Sequence, residues 1–81
     1  MKIGLSTLHH IVIEKCEEYI QNQKYKQIMK NILNSHPNFS NYDESNINKF
    51  IALGYTNKDI RIILVEFYTT IVDLKRRDEG T

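Results

Sequence analysis

Disulfides, glycine-rich loops and a dominant charge are all missing from this sequence. Its 81 residues include one cysteine, which excludes an internal disulfide and any zinc site built on two or four thiolates. One proline and three glycines are too few for a loop-rich active site or a glycine cradle around a phosphate. Eleven basic side chains against ten acidic give a net charge of +1, which makes no whole-chain case for nucleic acid or a membrane surface. No apolar run approaches the ~18 residues of a membrane-spanning helix. There is no internal repeat, no low-complexity tract, no Ser-His-Asp spacing and no pair of acids on a pocket-building scaffold. An enzyme is therefore not expected, and neither is a cofactor, a metal centre or a small-molecule substrate.

What is present suits a folded, water-soluble protein: 41% of the residues are hydrophobic and 26% charged. The length is that of one helical domain, expected to span residues 1–81. A single core of this size leaves a margin of roughly 3–5 kcal/mol after chain entropy is subtracted. With no disulfide to add to it, apolar surface left outside the core is expected to serve self-association or partner binding. The start, Met1-Lys2-Ile3-Gly4-Leu5, has the single positive charge of a signal peptide. However, His9, His10 and Glu14 interrupt the apolar stretch, and no small-residue cleavage site follows. A reduced, cytoplasmic setting is the expectation. Asn, Lys, Ile and Tyr are abundant and are encoded by AT-rich codons, a bias that suggests a low-GC bacterium, its phage or a mobile element.

Periodicity predicts an all-α fold of three helices. Ser6 or Thr7 is placed to cap the first. Its apolar positions, Leu8, Ile11, Val12, Cys16, Tyr19 and Ile20, recur at three- and four-residue steps, as one helix face requires. After the polar Gln21-Asn22-Gln23-Lys24 the stripe resumes as Tyr25, Ile28, Met29, Ile32 and Leu33, turned by about 130° from the first set. That offset suits one long helix touching different neighbours, or two helices with a bend near residue 22. Because neither Gly nor Pro interrupts the segment, one helix over about 7–34 is favoured. Ser35-His36-Pro37-Asn38-Phe39-Ser40-Asn41 reads as a loop that Pro37 keeps out of the helix and Phe39 anchors. A short helix over about 43–53 follows, burying Ile47, Phe50 and Ile51, with Ser40 and Asp43 as its start signals. Gly54 is expected to close it in the left-handed conformation.

Thr56-Asn57-Lys58-Asp59 is the clearest local signal, with Thr56 as cap and Asp59 three residues on, at the positive end of the helix dipole. It opens a long apolar helix over about 56–77, on which Ile60, Ile63, Leu64, Phe67, Ile71 and Leu74 fall within about 50° of one direction. A second apolar set, Ile62, Val65, Tyr68 and Val72, lies on another side. The many β-branched residues between Ile60 and Leu74 favour a strand locally, but strict alternation is missing and helix prevails.

Ala52-Leu53-Gly54-Tyr55-Thr56-Asn57-Lys58-Asp59-Ile60 resembles the Gly-x-(Ser/Thr)-Asn-Lys-(Glu/Asp)-Ile stretch of LuxR-type helix-turn-helix regulators. It is also similar to the Gly-Tyr/Phe loop of ubiquitin-associated-type three-helix domains. The first resemblance implies a short helix, a turn and a recognition helix, whereas here Ile62-Ile63-Leu64-Val65 runs on with no turn. The second implies a short third helix after a tight loop, which this sequence lacks.

Reactive side chains are few. His10 and Glu14 are spaced to face one metal, with His9 and Cys16 nearby, but the remaining histidine, His36, lies in a distant loop, so no metal site is expected. Cys16, among Val12, Tyr19 and Ile20, reads as a small core residue. Gln23, Lys26, Gln27, Lys30 and Asn34 form a polar, basic helix face that suits either solvent or a phosphate backbone. Lys75-Arg76-Arg77 suits a helix C-terminus.

The leading expectation is a non-enzymatic helical interaction module, a homodimer or an accessory subunit of a larger complex. Ile62, Val65, Tyr68 and Val72 would form the interface, with Tyr68 as anchor. The alternative is a helix-turn-helix-like accessory protein of a phage or mobile element that binds nucleic acid in replication or transcription. Lys26, Lys30, Asn57, Lys58 and Arg61 would then touch phosphates.

Overall fold

The computed structural model describes residues 5–79, and side chains from Leu8 to Asp78. Met1–Gly4, the start weighed above as a leader, lie outside the described residues. Four α-helices follow in chain order: α1 (Leu5–Tyr19), α2 (Gln23–Asn34), α3 (Ile47–Leu53) and α4 (Lys58–Glu79), with a 3-10 turn at Pro37–Phe39 between α2 and α3. No strand occurs among the described residues. Helix α4 packs against each of the other three, and α1 also packs on α3.

The single helix expected over about 7–34 is thus two, which makes four helices where three were expected. The break is local and polar. Gln21 N–H and Asn22 N–H bond three residues back, to Glu18 and Tyr19 carbonyls, at 3.3 and 3.0 Å. Asn22 then turns extended (φ −93°, ψ 127°), and its side-chain oxygen accepts from Lys24 N–H at 2.9 Å, capping α2. A straight helix could not bury two stripes offset by about 130° against one core. Bending at Asn22 turns Met29, Ile32 and Leu33 onto the same interior as α1. Helix α1 itself starts at Leu5, ahead of Ser6 and Thr7, the expected caps.

The face of α1 also differs from the expected one. Val12, Ile13, Cys16, Tyr19 and Ile20 are buried, whereas Leu8 and Ile11 are 49% and 41% exposed. The stripe is rotated towards Ile13 because α1 must meet both α3 and α4, and Ile13 lies against the ground between them at Gly54.

Helix α3 starts at Ile47, later than expected. Asp43 does not cap it. Its carboxylate accepts from Ser45 N–H and Ser45 O–H at 2.9 and 2.6 Å, and its own N–H donates to the Asn46 side chain at 2.7 Å. These bonds make a turn in place of a first helical turn. Phe39 and Tyr42, both half-buried, hold the connection down with ring centres 5.9 and 4.8 Å from that of Phe50.

Gly54 is right-handed (φ −60°, ψ −22°), not left-handed as expected. The requirement for glycine is steric. A Cβ there would lie 2.5 Å from Leu64 Cδ1 and 3.1 Å from the Ile51 carbonyl, so close packing of α3 on α4 selects the residue.

Candidate functional site

Helix α4 places one apolar side in the core and leaves the other partly uncovered. Ile60, Ile63, Leu64, Phe67 and Ile71 are buried, and Leu74 is half-buried. Of the second set, Ile62 is 57% and Val65 40% exposed, while Tyr68 and Val72 are half-buried.

The reason lies in how α1 crosses α4. Tyr19 on α1 stacks on Tyr68, ring centres 6.1 Å apart, and meets Phe67 edge-on at 6.5 Å. Tyr25 packs on the other edge of Tyr19 at 5.7 Å, and the Lys75 ammonium lies 4.7 Å from the Tyr19 ring centre. This end of the α1–α4 seam is closed, and Tyr68 is part of the closure. Leu8 lies on the same side of α1 as Tyr19, about 20° away after three turns, at the other end of the helix. That end is open. His9, Lys58, Arg61, Ile62 and Val65 line a groove of about 220 Å³ there. A larger hollow of about 410 Å³ is formed by α4 residues alone. Its polar groups are engaged: Thr69 and Thr70 hydroxyls donate to the Val65 and Glu66 carbonyls at 2.7 and 2.8 Å, and Asp73 pairs with Arg77 at 3.8 Å.

The residues named for nucleic acid are not brought together. Lys26 and Lys30 line a cleft with Asp43 and Glu44, whereas Lys58 and Arg61 line the α1–α4 groove. Lys30 pairs with Glu44, and that hydrogen bond and charge hold the Glu44 carboxyl below its usual range. Asn57 is the cap of α4, its side-chain oxygen accepting from Asp59 and Ile60 N–H at 2.9 and 3.2 Å. The cap therefore sits one residue later than Thr56, whose hydroxyl turns back to the Leu53 carbonyl at 3.3 Å. Arg61 reaches across the α3–α4 turn and donates to the Gly54 and Tyr55 carbonyls, both at 3.0 Å. These are carbonyls that the end of α3 leaves without helical partners. The Lys58 side chain makes no hydrogen bond or ion pair among the described residues, and neither does that of Lys26, whose charge nevertheless acts on Glu44.

The histidines and the cysteine are dispersed. The His10 ring meets Tyr55 edge-on at 4.8 Å. Partial desolvation, then the charges of Glu17 and Glu14, push the Tyr55 phenol above its ordinary value. His36 pairs with Glu66 at 3.1 Å. Cys16 Sγ donates to the Leu64 carbonyl at 3.4 Å, and burial, with a smaller contribution from Glu17, pushes its pKa up to about 12. No three His, Cys, Asp or Glu side chains gather as metal ligands among the described residues, and no described helix is long and apolar enough to cross a membrane.

Leu8 and Ile11 are the surface residues that sequence periodicity assigned to the core. The signal that could have moved them is the adjacent pair Val12-Ile13: a stripe centred on Ile13, Cys16 and Ile20 leaves Leu8 about 110° and Ile11 about 170° from its centre. No family model matches the chain, and neither does any curated protein or solved structure.

Proposed function

We propose that this chain is a non-enzymatic helical interaction module that works as a homodimer or as a small subunit of a larger complex. The observation that carries this reading is the exposure of Ile62 and Val65 together at one groove of α4; among the described residues the only other exposed large apolar side chains are Leu8, Ile11 and Leu53. Single exposed apolar residues are ordinary, but Ile62 and Val65 stand side by side in one groove, and clustered exposed apolar side chains mark contact surfaces. The mechanism is burial of one helix-pair face on another. Ile62 and Val65 supply the contact, Val72 its edge, and Tyr68 supports it from within the seam.

Light scattering of the purified protein, alone and with host extract, tests the reading. An assembly larger than one chain is expected, reverting to a single chain when Ile62 and Val65 are changed to Ser. A random DNA duplex is expected to bind weakly if at all at low salt. A steep, salt-sensitive shift that depends on Lys58 and survives I62S/V65S would support the nucleic-acid reading instead.

A further inference from the structure

We infer that the surface centred on Ile62 is a two-fold interface between copies of this chain, with α4 antiparallel to the partner's α4 and Lys58 of each copy against the partner's Glu66. This inference rests on the interaction reading above and assigns its partner.

Lys58, Ile62 and Glu66 stand at four-residue steps and form one ridge along the outside of α4. Such ridges run parallel to one another when two helices cross at about −50°, the commonest packing class in globular proteins. A two-fold axis through Ile62 then lays the ridge alongside its own reversed copy. The isoleucines meet at the axis, and the cation at one end of each ridge meets the acid at the other end of its mate. A closed interface between identical chains requires a self-complementary surface of this kind. The parallel arrangement sets Lys58 against Lys58 and Glu66 against Glu66, so charge fixes the direction.

The two charged groups are available for this. Lys58 has no partner among the described residues. Glu66 is half-exposed and is held from behind by His36 through Oε2, which leaves Oε1 to accept a further bond. Val65, exposed in the groove beside Ile62, extends the apolar contact on the α1 side of the ridge.

Charge exchange tests the pairing. K58E and E66K change exposed positions, so both variants should fold with wild-type helix content. Each alone sets like charges against each other twice per dimer, and each should associate at least about tenfold more weakly than wild type. Mixed in equal amounts they restore both opposite-charge contacts and should recover association, as should the double variant K58E/E66K. Recovery cannot come from the His36 contact, which the mixture and the double variant do not restore. Wild-type association in either single variant, or no recovery on mixing, would overturn the pairing while leaving an interaction surface in place. A wild-type chain that stays single at millimolar concentration would overturn self-pairing, and light scattering with host extract would still judge the interaction reading by itself.

Discussion

Two residues at the centre of the fold, Gly54 and Cys16, can each be tested atom by atom. Gly54 has an ordinary backbone, so Gly54→Ala meets no conformational penalty, but its methyl group would force the end of the fully buried Leu64 side chain to shift and would press on the Ile51 carbonyl. Overpacking of this kind costs about 1–3 kcal/mol, and urea unfolding should show a loss in that range. A variant as stable as wild type would mean that α3 and α4 are less tightly apposed. Cys16 is buried, and its pKa is raised from 9.0 to about 12. At pH 8 the folded thiol should resist a thiol reagent that labels it at once in urea. Because the folded pKa lies above the unfolded one, the thiol's contribution is fully present below pH 9.0 and is lost as pH rises towards about 12. Wild type should therefore lose stability more steeply over that alkaline window than C16A. Equal slopes, or fast labelling of the native protein, would contradict the buried placement.

At the scale of elements, the starts of α2 and α4 are set by asparagines. Asn22 and Asn57 each turn a side-chain oxygen onto the first free N–H groups of α2 and α4. Asn57→Ala should cost about 1 kcal/mol, read from the urea midpoint, whereas Thr56→Ala should cost less, since Thr56 is not the cap. Equal losses would place the cap back at Thr56. These boundaries also show what was legible beforehand. The all-helical character and the buried side of α4 follow from periodicity, because Ile60, Ile63, Leu64, Phe67 and Ile71 admit only one common face. The break at Asn22 was present as a phase change between two apolar stripes, but phase alone does not distinguish a rotated neighbour from a bent helix. The start of α3 was obscured because Asp43 and Asn46 are good caps that here bond to a turn. Exposure of Leu8 and Ile11 follows from which side of α1 sits on α3 and α4; Val12-Ile13 offered that side as a second stripe, and periodicity alone does not choose between the two. The site was partly legible for the same reason. Ile62 and Val65 stand out on α4 by themselves, while the partial burial of Tyr68 becomes visible only once Tyr19 is stacked on it.

For the whole molecule, the account comes down to unequal coverage of α4. Three helices cover one side of it, α1 closes part of the other, and the stretch around Ile62 and Val65 is exposed among the described residues, the surface proposed above for a partner. Ser at both positions should leave monomer stability within about 0.5 kcal/mol of wild type, because neither side chain belongs to the core. The decisive measurement is sedimentation equilibrium of wild type and I62S/V65S over a wide concentration range. Wild type should sediment as a multiple of its 9.6 kDa mass, and the variant as one folded chain. A wild type that sediments at 9.6 kDa throughout, alone and with host extract added, would contradict the account.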